Sequence, residues 1–219
     1  MSLRSELIEA CHKVYDKGFV AAYDGNLSVR KSQNTFLITP SGICKGELTD
    51  QDLLEIDING NLVKGKGKVS TESKLHLLAY KKRPDIKSVI HCHPVHATAF
   101  ATAGKDLTQP VFPEVLLTLG PVPLCKYATP SSDDLANSIL PYIQNCCALL
   151  LANHGAVTFG KSIKEAYYRM EKLEHTAHTL IMTRLIGKEK ILSPKKVKEL
   201  FEIANDVYGI KINKREFYR

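Results

Sequence analysis

Residues 87–103, KSVIHCHPVHATAFATA, decide the class of fold, because they predict a β-strand, a proline and then a helix of small residues. The β-branched, alternating part before Pro94 is typical of a strand. A proline suits the start of the following helix, because its fixed φ is already close to the helical value. A strand that leads directly into a helix predicts a mixed α/β fold.

Further elements are predicted on both sides of this unit. Short alternating or apolar runs predict strands at residues 35–39, 54–58, 62–63, 122–127 and 147–153. Helical spacing of apolar residues predicts helices at residues 3–17, 72–83, 132–143, 162–187 and 193–209. Asn59-Gly60 predicts a hairpin turn, which argues against a purely parallel sheet. We therefore expect one α/β domain over residues 1–219, a three-layer sandwich with a central, mostly antiparallel sheet and helices on both faces.

Two of the predicted helices carry capping signals. Ser162 and Glu165 form an S-x-x-E capping box at the start of the longest one. Ser70 or Thr71 is predicted to cap the helix that follows residue 71, which places Glu72 in its first turn.

Composition and charge exclude several classes of protein. The longest uninterrupted apolar run, residues 146–152, is far shorter than a membrane span needs, and the N-terminus lacks a secretory signal, so we expect a cytoplasmic protein with no membrane partner. The six cysteines show no C-x-x-C spacing and predict free thiols. The net charge is +7, and residues 188–219 carry nine basic and five acidic side chains. This mixed run favours a solvated face over a nucleic-acid site.

Three histidines are candidate metal ligands. On a strand, His91 and His93 point to the same face, so both side chains can bind one ion while Cys92 points away. His154 follows a nearly continuous apolar strand and would lie at its end. Three histidines and an open position suit a catalytic divalent metal that polarises a substrate oxygen. Ordinary core or surface histidines remain the alternative for this set. They are the favoured interpretation for His96, His175 and His178, which lie in predicted helices.

Two further features suit the chemistry of an anionic substrate. Small or hydroxyl residues in three predicted turns could approach a phosphate, although turns and caps use the same residues for structural reasons. These turns are Gly25-Asn26, Ser41-Gly42 and Ser70-Thr71. Beside a metal-bound carbonyl, the Glu72 carboxylate could remove a proton from the adjacent carbon; without a metal it would only compensate the helix dipole.

Taken together, the order of these motifs resembles one known family. The motifs are Gly25-Asn26-Leu27-Ser28-Val29-Arg30, Ile38-Thr39-Pro40-Ser41-Gly42, Ser70-Thr71-Glu72, His91-Cys92-His93, Tyr127-Ala128-Thr129 and His154-Gly155. They are similar to those of the class II aldolase/adducin family, and most similar to its L-fuculose-phosphate aldolases. The resemblance extends over nearly the whole chain and includes Tyr208-Gly209.

The resemblance implies a homotetramer with active sites between neighbouring subunits and a Zn²⁺ ion in each. The zinc ligands it implies are His91, His93, His154 and, in the resting site, Glu72. Mn²⁺ or Co²⁺ would suit the same ligands. Glu72 is implied as the catalytic acid and base, and Tyr208 as a proton donor to the aldehyde oxygen. The implied phosphate-binding residues are Gly25, Asn26, Ser41, Gly42, Ser70 and Thr71.

The implied reaction is the reversible cleavage of a ketose 1-phosphate, such as L-fuculose 1-phosphate, into dihydroxyacetone phosphate and an aldehyde. Two other activities of the family stay open, methylthioribulose 1-phosphate dehydratase and sugar-phosphate 4-epimerase, although the epimerases have Asp where this chain has Glu72. A non-catalytic, adducin-like binding module is a further alternative. The chain departs from the fuculose-phosphate aldolases at residues 112–115, where a family tyrosine is replaced by Phe-Pro-Glu-Val and Glu114 is a substitute candidate.

Overall fold

The computed structural model describes residues 2–208, without the side chains of residues 205–208. One eight-stranded sheet lies at its centre, in the order β4-β3-β2-β1-β5-β8-β7-β6. The strands are β1 Asn26–Arg30, β2 Thr35–Ile38, β3 Leu54–Asp57, β4 Leu62–Lys64, β5 Ser88–Cys92, β6 Leu124–Cys125, β7 Ala148–Leu151 and β8 Gly155–Gly160. Neighbouring strands are antiparallel except β6 and β7. The predicted mostly antiparallel sheet is confirmed.

Helices cover both faces of this sheet. They are α1 Leu3–Asp16, α2 Ser73–Lys82, α3 Val95–Thr102, α4 Pro113–Thr118, α5 Asp133–Ser138, α6 Ile163–Ile186 and α7 Pro194–Tyr208. Successive strand residues face opposite sides, so Ile90 packs in the core with α1, α3 and α6, while Val89 packs in the core with α2 and α5. The predicted three-layer sandwich is therefore confirmed.

The sequence patterns missed three of these elements, β1, β8 and α4. Four consecutive residues of β1, from Asn26 to Val29, are buried, so the strand shows no alternation between polar and apolar positions. β8 is buried throughout and both begins and ends with glycine, which is depleted in strands. The predicted strand at 122–127 shortens to Leu124–Cys125, and the predicted helix at 132–143 ends at Ser138.

One of the two predicted helix caps is wrong. The Ser162 side chain does accept a hydrogen bond from the Glu165 amide at the start of α6 (3.1 Å). For α2, the N-cap residue is Glu72, and neither Ser70 nor Thr71 caps the helix. A turn closed by the hydrogen bond from the Ser73 amide to the Ser70 carbonyl (3.0 Å) delays the helix by one residue. The Glu72 carboxylate forms no cap and is left for other partners.

The structure bears on two expectations from composition, those about membrane-spanning helices and about the cysteines. Within residues 2–208, no helix is both long and apolar enough to cross a membrane. All six cysteines are free thiols, and four of them are buried.

Candidate metal centre and active site

The central strands bring the three candidate histidines together. β5 lies between β1 and β8 and carries His91 as its penultimate residue, with His93 just beyond its end. His154 lies in the tight turn between β7 and β8, after Asn153 with its positive φ of 54°. One ligand atom from each of the three histidines lies within 4.8 Å of the others.

Glu72 completes this cluster from the start of α2. Its Oε2 lies 3.3 Å from His91 Nε2, and its Oε1 lies 3.3 Å from His154 Nε2. His91 Nε2 and His93 Nε2 are 3.1 Å apart. Two ligands of one tetrahedral Zn²⁺, each about 2.05 Å from the ion, would lie about 3.3 Å apart. The spacing of these atoms therefore fits a single divalent ion.

The hydrogen bonds around the cluster also fit a metal. His91 Nδ1 donates to the Ala156 carbonyl (2.9 Å), so the lone pair of its ring is on Nε2, inside the cluster. His93 Nδ1 lies 3.6 Å from Asp24 Oδ2, again on the side away from the cluster. His154 Nδ1 is buried and has no hydrogen-bond partner among the described residues. Imidazole nitrogens and a carboxylate oxygen are a donor set that suits zinc and related divalent ions.

Electrostatics favour the protonation states that metal binding requires. Burial lowers the pKa of His91 to about 3 and also lowers the pKa of His93. Burial on its own would raise the pKa of Glu72. The hydrogen bond from His154, the charge of His91 and the hydrogen bond from Asn26 outweigh it and hold this pKa below its ordinary value. These shifts favour neutral His91 and His93 and an ionised Glu72, the states in which these groups bind a metal.

Gly155 leaves the space that His93 occupies. A Cβ atom at this position would lie 2.5 Å from His93 Cδ2 and 2.6 Å from the Cys92 carbonyl oxygen. Both contacts are too short, and the second is with backbone, which cannot easily move.

We expect Gly155→Ala to displace His93, to weaken zinc binding and to lower the free energy of unfolding by about 1–3 kcal/mol. Gly187→Ala is a matched control, because a Cβ there meets nothing within 4 Å. It should change stability by less than about 0.5 kcal/mol. Urea unfolding and zinc titration of both variants check this prediction, which fails if the two variants behave alike.

The three predicted anion-binding turns lie next to the metal cluster and to one another. The Leu27 amide donates to Thr39 Oγ1 (3.2 Å), which joins the 25–26 turn to the 39–42 segment. A bridge between Pro40 and Val69 then joins that segment to Ser70-Thr71. Gly25 and Gly42 both have positive φ, 69° and 78°, which favours glycine at these turns. We call these linked turns the rim, and two of its residues, Asn26 and Ser70, contact Glu72 directly.

Several neighbours of the cluster were not expected from sequence. Asp24 lies beside His93, and Ser131, with a φ of 70°, bonds Thr71 through their hydroxyls (2.6 Å). Asn26, which was expected at the site, donates to Glu72, and hydrogen bonds link it to three buried residues that were not expected, Ser28, His76 and Tyr80. The spacing carries a signal for part of this set, because Asn26 and Ser28 share a strand face and His76 lies four residues after Glu72.

His76 is fully buried, and we expect it to make the stability of the protein depend on pH. Burial lowers its pKa to about 4, against an ordinary value of 6.5. As the pH falls from 6.5 to 4, the unfolded chain binds a proton that the folded chain does not bind, so the free energy of unfolding falls by an amount on the order of 3 kcal/mol and then levels off. His91 acts in the same direction.

Urea unfolding of the metal-free protein between pH 7.5 and 4.5 measures this loss. His76→Gln removes one titrating group, so its stability should fall less steeply with acid than that of the wild type. Parallel pH profiles for the two proteins would show that His76 does not make this contribution.

His96 and His178 have ordinary structural partners, as the sequence favoured. His96 Nδ1 lies 2.7 Å from Glu174 Oε1, and its ring stacks on His178 at 3.9 Å. The Glu174 carboxylate accepts the amides of His96 and Ala97 and so caps α3. His175 is exposed on α6.

Of two other expected residues, Glu114 has no contact with the cluster that the structure describes. Glu114 is exposed in the first turn of α4, which packs against α6 and α7. The side chain of Tyr208 lies outside the described residues, although α7 ends at this residue.

Comparison with known proteins agrees with this geometry. The family described as Class II Aldolase and Adducin N-terminal domain matches residues 5–181. The L-fuculose phosphate aldolase of Methanococcus maripaludis strain S2 is 36% identical over 173 residues, which are 79% of this chain and 93% of that protein. The 3-oxo-tetronate 4-phosphate decarboxylase of Pectobacterium atrosepticum is 32% identical over 192 residues, 86% of each chain.

A solved structure of L-fuculose 1-phosphate aldolase has the same fold. It superposes with a TM-score of 0.84 and 29% identity, over 91% of this chain and 94% of that chain. The resemblance found in the sequence motifs is thereby confirmed. The chain belongs to the family of class II aldolases and adducin N-terminal domains.

Proposed function

We propose that this protein is a zinc-dependent class II aldolase that reversibly cleaves a ketose 1-phosphate, similar to L-fuculose 1-phosphate, into dihydroxyacetone phosphate and an aldehyde. One observation carries the proposal, the cluster of His91, His93, His154 and Glu72 beside a rim of three small-residue turns. A metal-binding cluster next to an anion-binding rim suits a phosphorylated substrate whose reacting oxygens bind the metal.

The three histidines and, in the resting site, Glu72 would hold the metal. A bound Zn²⁺, or Mn²⁺ or Co²⁺, would polarise the carbonyl and hydroxyl oxygens of the substrate. Gly25, Asn26, Ser41, Gly42, Ser70 and Thr71 would hold its phosphate. Turns with small residues allow close approach of backbone amides to an anion. The rim would thus fix one end of the substrate and leave the carbon to be cleaved near Glu72.

Glu72 is proposed to move the proton. In the cleavage direction its carboxyl gives a proton to the carbon that leaves with dihydroxyacetone phosphate, and in synthesis its carboxylate removes that proton. The proposal is supported by its position, since both oxygens lie 3.3 Å from cluster histidines and only 15% of the side chain is exposed. Tyr208 is proposed as the proton donor to the aldehyde oxygen.

The relatives favour one second activity, which is not among those implied by the sequence motifs. The decarboxylase relatives act, by their names, on 3-oxo-tetronate 4-phosphate, and they are 32–33% identical to this chain. Loss of carbon dioxide from such a β-keto acid leaves the same three-carbon fragment as aldol cleavage. The same metal and the same Glu72 proton transfer would serve both reactions.

The other family activities, dehydratase and 4-epimerase, and the non-catalytic binding module have no relative among those described above. The homotetramer, the cytoplasmic location, the single domain and the absence of a nucleic-acid partner stay predictions from the sequence. Part of the basic segment 188–219 lies beyond the described residues.

Hydrogen exchange tests the shared part of both reactions. The zinc-loaded protein is incubated in heavy water with dihydroxyacetone phosphate and no aldehyde, and deuterium at the hydroxymethyl carbon is followed by NMR. We expect stereospecific exchange that stops when a chelator removes the metal. No exchange in the zinc-loaded protein would contradict the proposal and lead to a test of methylthioribulose 1-phosphate dehydration.

A second assay separates the two activities. L-fuculose 1-phosphate and 3-oxo-tetronate 4-phosphate are supplied separately, and release of aldehyde or of carbon dioxide is measured. Aldehyde release with the larger kcat/KM supports the aldolase, and release of carbon dioxide alone supports the decarboxylase.

A further inference from the structure

A chain of buried hydrogen bonds reaches Glu72 from the core behind the metal cluster. Asn26 Nδ2 is 2.6 Å from Glu72 Oε2, and Asn26 Oδ1 is 2.6 Å from His76 Nε2. His76 Nδ1 is 2.6 Å from Ser28 Oγ, which is 2.8 Å from the Tyr80 hydroxyl. The four residues behind Glu72 are each at most 5% exposed. We propose that this chain positions Glu72, and that His76 is its central positioning residue.

Each hydrogen bond in the chain has only one possible direction when Glu72 is ionised. A carboxylate can only accept, so the Asn26 amide must turn its NH₂ group toward Glu72 and its carbonyl toward His76. His76 Nε2 must then carry a proton, and the neutral ring accepts at Nδ1 from the Ser28 hydroxyl. Ser28 has one proton to give, so the hydroxyl of Tyr80 must donate to Ser28. The orientation of the Asn26 amide therefore depends on groups that never touch Glu72.

Tyr80 provides a fixed end for this chain. Its ring stacks on Phe36 with centroids 4.6 Å apart, and the Arg30 guanidinium lies 4.9 Å from the ring centroid. Arg30 also donates to the Tyr80 carbonyl (2.8 Å). The far end of the chain is thus held by side chains of β1 and β2, while the near end holds the carboxylate beside the histidines.

The strands that carry this chain of hydrogen bonds explain why a break in it would affect the metal centre. Asn26 and Ser28 lie on β1, which pairs directly with β5 and its His91. Without the Ser28 hydroxyl, His76 Nδ1 loses the donor that fixes the proton on Nε2 and holds the ring in place. The ring then fixes the Asn26 amide less firmly, and the amide holds the Glu72 carboxylate less firmly beside the histidines.

Two buried serines give a matched test. Ser28→Ala breaks the chain, whereas Ser88→Ala on the adjacent strand removes a hydroxyl that donates only to the Ser28 carbonyl (3.0 Å). Both serines are at most 1% exposed. Zinc affinity is measured by competition with a chromogenic chelator, and folding is checked by urea unfolding. We expect Ser28→Ala to weaken zinc binding about 10-fold, the lower end of the range for an outer-shell partner, because Ser28 acts on Glu72 only through His76 and Asn26. Ser88→Ala should change it less than twofold.

A double-mutant cycle of Ser28→Ala and Glu72→Gln distinguishes the positioning of Glu72 from a general loosening of the core. If the chain acts through Glu72, Ser28→Ala should weaken zinc binding much less in the Glu72→Gln background than in the wild type. Equal losses in both backgrounds, or equal losses for the two serine variants, would overturn the proposal. So would unchanged zinc binding in Ser28→Ala.

His76 itself supplies a rescue experiment. The side-chain amide of His76→Gln can still donate to Asn26 Oδ1, while His76→Leu cannot. We expect His76→Gln to bind zinc more tightly than His76→Leu by at least fivefold, although both lose the imidazole. Equal weakening in the two variants would show that the donor at this position is not what matters.

This inference rests on Glu72 as a metal ligand of the resting site, as proposed above, and the two can fail separately. A wild-type protein that binds no zinc contradicts the proposed function. A wild type that binds zinc, with Ser28→Ala indistinguishable from Ser88→Ala, contradicts only the positioning chain.

Discussion

Glu72→Gln should lower the rate of hydrogen exchange into dihydroxyacetone phosphate by about 10²–10⁴-fold at saturating zinc, the range that one general acid or base contributes. The substitution keeps the shape of the side chain, and the Gln carbonyl can still accept the hydrogen bond that Asn26 Nδ2 gives to Glu72 (2.6 Å). The three histidines are unchanged and can still hold the metal. The loss should therefore come from the missing base.

Glu55→Gln is the matched control for this prediction. Glu55 is also a mostly buried glutamate, 8% exposed. It lies on β3, however, and forms an ion pair with Lys31 (2.7 Å). The exchange rate of the Glu55→Gln variant should stay within about twofold of the wild-type rate, since ordinary changes away from the site have small effects. Near-full exchange in zinc-loaded Glu72→Gln would remove Glu72 from the role of base.

The sequence could predict the part of the site that depends on local patterns, the three histidines. His91 and His93 are two residues apart on a strand, and the alternation of side chains alone places them on one face. His154 was predictable because an apolar strand ends directly before it. In each case the inference needs only the neighbouring residues, and the structure brings all three together.

The parts that the sequence could not predict depend on contacts between distant segments. β1 inserts between β2 and β5, so Asn26 pairs with His91, 65 residues later in the chain. Nothing in the residues of β1 signals this position, because buried polar Asn26 and Ser28 are acceptable there only with partners supplied by α2. For the same reason His76 was not among the expected site residues, because its partners lie on β1.

The wrong cap at α2 has a related cause. Ser70, Thr71 and Glu72 match the pattern of a capped helix start, which is local. The hydrogen bond from Ser73 to Ser70 and the pull of the histidines and Asn26 on the Glu72 carboxylate are what delay the helix. A site can therefore override a capping preference that is worth only about 1 kcal/mol.

His154→Ala gives the clearest test of the metal centre, because His154 has no other hydrogen-bonding role that the structure describes. Its Nε2 faces Glu72 at 3.3 Å and its buried Nδ1 is without a partner among residues 2–208. The unsatisfied buried Nδ1 costs stability and so offsets what the hydrogen bond from Nε2 to Glu72 contributes, and without a metal the removal of the ring should therefore cost little. We expect the metal-free variant to unfold at nearly the same urea concentration as the metal-free wild type.

Zinc should then separate the two proteins. Zinc at 100 times its Kd adds about 2.7 kcal/mol to the stability of a protein that binds it only when folded. The wild type should gain this amount, and His154→Ala, with one of three histidine ligands lost, should gain almost none and retain little zinc after dialysis. His175→Ala, an exposed histidine on α6, is the control and should respond to zinc as the wild type does. Equal zinc stabilisation of His154→Ala and the wild type would place the metal elsewhere, because no ion bound by these three histidines could lose His154 without weakening.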